Sequence, residues 1–303
     1  MFHRLLLPSL FFSLAALAHA LEIAVPVGGD IQSAANQVAS AGGGSVLLAP
    51  GTHVLTGTLR IGSNTRLAGA GRESTKLTID GDFNVIQQAE EGLDNVTIER
   101  LTVAGKPSES CYGILIEAYE TWHNNITLRD IEVTGAGMGV HLKRARNIVV
   151  TNARIHSNGA AGKERYYHNL YLRSCEKIHI SDSNLDRGTS GNGLNISYST
   201  DLVVERTTAR DNFFRGMRAA ESDGFAVIDC VITGNGGTGL IANQEKGNVT
   251  KRLDWRGNTV SGNREGGVQA RRGATGSVVG NTAINNLKFD YDLPAGIQKT
   301  DNN

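Results

Sequence analysis

The chain has 303 residues and a balanced charge, 30 basic against 30 acidic groups, which excludes a general nucleic-acid binder with its basic surface. Its three cysteines leave at least one unpaired, so a disulfide scaffold is not indicated either. Glycine is abundant at 37 residues and proline sparse at five, with no proline between Pro107 and Pro294. Strands that pair on both sides cannot give up N–H groups, and a long proline-free stretch fits that condition.

The chain opens on a secretory leader pattern: Arg4, an apolar run from Leu5 to Leu17, and Ala18-His19-Ala20 as a small-x-small cleavage site. The run is too short to span a membrane, and no later segment is apolar enough to do so. The expectation is an exported protein, periplasmic or extracellular, acting as a monomer without membrane insertion. Cleavage before Leu21 leaves 29 basic and 30 acidic groups, a net charge of −1.

Asp30 to Ala41 reads as a short amphipathic helix, with Asp30 as N-cap and Ile31, Ala34, Ala35 and Val38 at helical spacing. Gly42-Gly43-Gly44 stops it. Short strands follow at Ser45 to Leu48, Leu59-Arg60-Ile61, Thr65 to Gly69 and Leu77 to Asp80.

From Gly113 onward the sequence repeats. A Gly-led strand returns every two to three dozen residues: Gly113-Ile-Leu-Ile-Glu117, Gly139-Val-His-Leu-Lys143, Asn169-Leu-Tyr-Leu-Arg173, Gly193-Leu-Asn-Ile-Ser197, Gly216-Met-Arg-Ala-Ala220, Gly239-Leu-Ile-Ala-Asn243 and Gly267-Val-Gln-Ala-Arg271. A second apolar stretch follows, such as Asn125-Ile-Thr-Leu128 or Asp201-Leu-Val-Val204, and many periods close on Asn. A period this short, made of strands and turns, predicts a solenoid. Asn212, Asn235 and Asn263 are expected to stack coil on coil, because an adjacent identical amide supplies both donor and acceptor. Cys230 lies in an apolar strand and reads as a small buried filler. The sequons at Asn95, Asn125, Asn195 and Asn248 read as turns and strand starts.

Residues 28 to 80 resemble the entry to the right-handed parallel β-helix superfamily of pectate lyases and their relatives. The resemblance is carried by the helix, Gly42-Gly43-Gly44-Ser-Val-Leu-Leu-Ala-Pro50-Gly51, and Leu67-Ala-Gly-Ala-Gly71 before Thr75-Lys-Leu77. The Asn-rich coils continue it to about Asn286. It implies an all-β, right-handed parallel β-helix and leaves the reaction open, since the superfamily holds lyases, epimerases, hydrolases, esterases and adhesins. The expected division is a leader over 1–20, a cap over 21–45 and roughly ten coils over 46–286. A tail over 287–303 is expected to run back over the last coil.

Strand side chains alternate in and out, so the apolar pairs Ile114/Ile116 through Val268/Ala270 point inward. Outward positions form two columns. One reads Leu115, His141, Tyr171, Asn195, Arg218, Ile241, Gln269; the other reads Glu117, Lys143, Arg173, Ser197, Ala220, Asn243, Arg271. His141, Lys143, Tyr171 and Arg173 form a patch that is the candidate catalytic centre. Glu117, His168, Asn195, Arg215, Arg218 and Arg271 are candidate substrate-binding residues. The segment Ser157–Tyr167 is expected to form a groove wall.

A cationic sheet bearing His and Tyr on a neutral protein points to an acidic linear ligand, naturally a uronate-containing polysaccharide lying along the coil axis. Removing the C5 proton of a uronate needs its carboxylate neutralised and a base in reach; cleavage also needs an acid at the leaving oxygen. Arg173 or Lys143 could neutralise, and His141 or Tyr171 could move the proton. A polysaccharide lyase acting by β-elimination is the first reading. The alternatives are a polyuronate C5-epimerase or a non-catalytic polysaccharide-binding β-helix. The familiar Asp-Pro-His stretch of alginate epimerases is absent. Hydrolysis by paired carboxylates is disfavoured, because neither column holds an Asp and Asp182 and Asp186 lie on a different face. No cofactor or metal is assigned; the nearest approach to a Ca2+ set, Glu117 with Glu221 and Asp223, is spread over different coils. Trp122-His123 is either a sugar platform or packing within its own loop, the second being the plainer reading.

Overall fold

The computed structural model describes residues 21–303, so the expected leader lies outside the described residues. The chain winds through three sheets of 15, 10 and four strands, and every strand pairing between them is parallel to its neighbour one coil away, as in Met138–Lys143 against Leu170–Arg173. The 10-stranded sheet holds the Gly-led strands. It runs from Leu59–Ile61 through Tyr112–Glu117, Met138–Lys143, Leu170–Arg173, Leu194–Ser197 and Met217–Ala220 to Phe289–Asp292. The long sheet holds the second apolar stretches, and the four-stranded sheet a short run that begins with Thr208–Arg210.

Alternation explains the core. Ile114, Ile116, Val140, Leu142, Leu170, Leu172, Leu194 and Ile196 are all fully buried, and their counterparts Ile126, Leu128, Ile148, Val150, Ile178 and Ile180 of the long sheet meet them inside the coil. Later coils thicken this core with Phe225 and Trp255, whose rings meet edge to face at 6.0 Å. Cys111, Cys175 and Cys230 are unpaired and buried within it.

The turn asparagines stack as expected. Asn212 donates its amide to the Oδ1 of Asn235, Asn235 to Asn263, and Asn263 to Asn286, each at 2.9 Å. The same amides also reach backbone carbonyls of Leu185, Ala209 and Ile232. One coil has Gly188 where the asparagine would stand. Asn169, at a strand start, fills the gap by accepting from Asn158 and donating to Asn212, both at 3.0 Å. Asp290 accepts from Asn286 at 2.9 Å and closes the series, since a carboxylate only accepts. A second ladder, Asn64, Asn95, Asn125 and Asn147, uses residues at φ of 54° to 57°, a region Asn tolerates well.

The helix is found at Ile31–Ser40, with Ser33 N–H bonded to the Asp30 side chain at 2.9 Å and Ile31, Ala34, Ala35 and Val38 buried. Two boundaries differ from expectation. Leu21–Val25 is already a strand, paired with Gly44–Leu48. The segment 287–303 does not run back over the stack. Phe289–Asp292 pairs with Gly266–Ala270 and Ile297–Thr300 with Gly276–Val279, so it adds a coil. Ile297 fills the core there and Asp290 takes the ladder position, which is what a further coil requires. The main path of the long sheet is therefore twelve strands deep, from Leu21 to Thr300. Among the described residues, no helix is long and apolar enough to cross a membrane.

Candidate functional site

The register of the Gly-led sheet brings the outward columns together as the alternation rule requires. His141 pairs with Leu115 on one side and Tyr171 on the other; Lys143 pairs with Glu117 and Arg173. Tyr171 pairs with Asn195, Asn195 with Arg218 and Arg218 with Ile241. Glu117, His141, Lys143, Tyr171, Arg173, Asn195 and Arg218 lie on strands of this sheet, His168, Arg215 and Arg271 flank its strands, and all but Arg271 fall into three environments.

The first is a ring stack along the coil axis. His141 lies 4.7 Å from Tyr171 with planes 11° apart, and 5.9 Å from Tyr112 on its other side. Both its ring nitrogens are covered and have no hydrogen-bond partner. Burial, and then the Lys143 and Arg173 charges, push its pKa down to about 4, so the ring is neutral. Burial and neighbouring acidic groups push the Tyr112 hydroxyl up to about 12.

The second is a hollow of about 280 Å3 on the side where the strands begin. Tyr171, His168, Asn195, Arg215 and Arg218 line it with Arg165, Phe214 and Glu245. His168 is buried and meets Tyr171 edge to face at 5.5 Å. Its Nδ1 accepts the Asn192 N–H at 3.0 Å, which places the ring hydrogen on Nε2. Burial, then Arg218, lowers its pKa to about 3, so His168 is a fixed neutral donor and not a base. Arg218 is buried on the floor, donating to Asn195 at 2.8 Å and pairing with Glu245. Asn192 donates to the same Asn195 oxygen at 2.9 Å. Arg215 lies over the Phe214 ring at 4.1 Å, and Arg165 lies 4.8 Å from that ring. Burial, then Arg218, lowers the Arg215 pKa to about 10, which still leaves it charged.

The third is a hollow of about 440 Å3 where the strands end, around Lys143 and Arg173. Glu117 stands at its edge, accepting from the Tyr119 hydroxyl at 3.1 Å. Arg271 lies beyond both hollows, exposed, with its Nε 3.4 Å from Asn243. Glu221 accepts the backbone N–H of Glu245 at 3.2 Å, and Asp223 pairs with Arg252 at 2.7 Å, so these acids are engaged apart from Glu117.

The segment Ser157–Tyr167 stands beside the groove. Lys163 pairs with Glu109 at 3.0 Å, the Tyr167 hydroxyl reaches the Glu109 carbonyl at 3.3 Å, and Arg165 and Tyr166 border the first hollow. Sequence reasoning missed Tyr112, Asn192, Phe214 and Glu245, and also Tyr119 and Tyr198. All but Tyr112 lie in turns outside the two columns. The available signal was adjacency: Asn192 precedes Gly193, Phe214 precedes Arg215, and Tyr198 follows Ser197.

Residues 85–254, more than half of the chain, match the family described as right handed beta helix region. The chain belongs to that right-handed β-helix family. No curated protein matches its sequence. Among solved structures, it is similar to the A-module of the mannuronan C-5 epimerase AlgE6 of Azotobacter vinelandii, with 20% identity, a TM-score of 0.54, and 89% of this chain and 94% of that one covered. ORF18 of Geobacillus virus E2 is similar over 92% of this chain and 62% of its own, with 15% identity and a TM-score of 0.72. The periplasmic alginate epimerase AlgG is similar over 93% of this chain and 76% of its own, with 15% identity and a TM-score of 0.55. At these identities the likeness is one of fold, and the chemistry of this β-helix must be argued from its own groove.

Proposed function

We propose that this β-helix protein cleaves a uronate-containing polysaccharide by β-elimination in the groove of the Gly-led sheet. One observation carries the reading. Tyr171 shares a hollow with two donors suited to a carboxylate, the His168 Nε2–H and Arg215, while the single carboxylate there, Glu245, is held by Arg218. Hydrolysis needs a pair of carboxylates across the scissile bond, and this hollow offers one that is already engaged. Elimination needs none.

His168 and Arg215 bind the uronate carboxylate, which stabilises the charge that develops when the C5 proton leaves. Tyr171, acting as the phenolate, takes that proton. The electron pair of the C5–H bond forms the C4=C5 double bond, the C4–O bond breaks, and Tyr171 returns the proton to the leaving oxygen. His141, with covered nitrogens, supports Tyr171 by stacking and does not touch the sugar. We place the activity in the periplasm or outside the cell, on the strength of the leader pattern over 1–20.

A C5-epimerase shares the first proton transfer and differs in returning the proton to the opposite face of C5. The fold shared with the epimerases AlgE6 and AlgG keeps that reading in view. One assay separates the outcomes. The protein is incubated with alginate, pectate and glucuronan; ultraviolet absorbance reads unsaturated ends, and proton NMR reads inverted units. Unsaturated products support the lyase and inverted units the epimerase. Affinity without either product leaves a binding protein, and no affinity for any of the polymers ends the reading.

A further inference from the structure

The hollow around Lys143 and Arg173 has no part in the chemistry above, yet it is built as a binding site. Each cation rests on an aromatic face. The Lys143 Nζ stands 3.2 Å from the Tyr119 ring centre, Arg173 stands 5.6 Å from that of Tyr198, and Arg144 stands 5.9 Å from that of Trp122. Cations laid on rings are attracted by the ring faces, which helps to hold them in place. Elsewhere several arginines are neutralised: Arg66 and Arg129 by Glu99, Arg206 by Asp182, and Arg252 by Asp223. Among the described residues, Lys143, Arg144 and Arg173 have no carboxylate within 4.0 Å, and the one acid lining the hollow, Glu176, pairs with none of them. Three unneutralised cations with aromatic walls suit a sugar carrying a carboxylate, the rings packing on its apolar face and the cations on its charge.

We infer that Lys143, Arg144 and Arg173, walled by Tyr119, Trp122 and Tyr198, form a second subsite for an anionic sugar, distinct from the hollow at Tyr171. This rests on the proposed polysaccharide reading and narrows its substrate. From the coil of Arg215 to that of Arg173 is two coils and to that of Lys143 three, about 10 to 14 Å along the axis at roughly 4.8 Å per coil. Two carboxylate sites at that separation select a chain whose charged rings recur within a few units, a run of uronates. A polymer with widely spaced acidic units fills one hollow and leaves the other cationic and empty.

The test is binding as a function of chain length. Oligomannuronates and oligogalacturonates from two to six rings are titrated calorimetrically into the intact protein. Affinity is expected to rise about tenfold or more between the shortest and longest oligomers, one charge-assisted contact being worth roughly that factor. The double variant Lys143→Met and Arg173→Met keeps the alkyl stems on the rings and is expected to reduce that rise to less than about threefold. Tyr198→Asn gives an independent check, because Tyr198 has φ of 56° and Asn tolerates that conformation. It should flatten the same rise. A length dependence that persists in both variants overturns the second subsite and leaves the Tyr171 reading intact. Absence of binding at every length overturns both.

Discussion

His141 and Tyr171 stack face to face across adjacent coils, 4.7 Å between ring centres and 11° between planes. In the half-buried imidazole both nitrogens are covered and have no partners. A buried polar atom without a partner costs stability, so the sequence retains a group here that an aromatic hydrocarbon ring could replace.

This makes His141→Phe informative. The imidazole has a folded pKa of about 4 against an ordinary value of 6.5. Its contribution is thus fully present above 6.5 and is lost as pH falls through that window, because the unfolded chain binds the proton first. His168, lowered to about 3, acts in the same direction. Urea unfolding of the unaltered protein should show stability falling from pH 6.5 towards pH 4. In His141→Phe that slope should lessen by up to about 1.4 kcal/mol per pH unit, one proton's worth. An unchanged slope would show that the imidazole is not desolvated.

Tyr171→Phe removes the hydroxyl and keeps the stack on His141. The turnover number on a uronate polymer should drop by about a hundredfold or more, the usual scale for losing a proton-transfer group, with KM altered far less. Steady-state absorbance kinetics measure both. Activity within threefold of the unaltered protein would remove Tyr171 from the proton path.

Asn235→Ala strikes the middle of the ladder. It removes the acceptor of the Asn212 backbone N–H and of one hydrogen of the Asn212 amide, and the donor to the Ala209 carbonyl, three buried groups, while the Asn263 oxygen keeps the Asn235 backbone N–H. A loss of about 3 kcal/mol or more in urea unfolding is expected, since each orphaned group costs on the order of 1 kcal/mol or more. Asn286→Ala, nearer the end and partly exposed, should cost about half as much. Equal costs at the two positions would contradict a cooperative stack.

Glu245→Gln frees Arg218 without disturbing the floor, because Glu245 is 41% exposed while Arg218 is 6% exposed. Glu245 is exposed enough for water to take its place beside Arg218, and urea unfolding checks that the variant still folds. Affinity for oligouronates, read by calorimetry, should increase several-fold, a buried cation on the groove floor having been released. Weaker binding would mean that Glu245 holds Arg218 in its working position.

Sequence by itself determined the solenoid, the identity of its core and the order of the two outward columns. Inward and outward alternation is a local rule of the strand, and a stack repeats that rule coil after coil, so one register fixes all of them. The Asn ladder was legible for the same reason. Tertiary structure alone decided how the patch divides. His141 proved covered because Tyr112 comes from the coil before and closes over it. Arg218 proved neutralised because Glu245, on a turn 27 residues later, reaches back to it. The extra coil beyond Asn286 was invisible for a related reason. Its strands lack the Gly-led pattern, and only pairing with Gly266–Ala270 and Gly276–Val279 gives them their place. Turns in this chain differ in length and carry no period, so where their side chains fall depends on packing against neighbouring coils. The strands follow a rule that can be read one residue at a time, whereas the walls of the groove exist only once the coils are stacked.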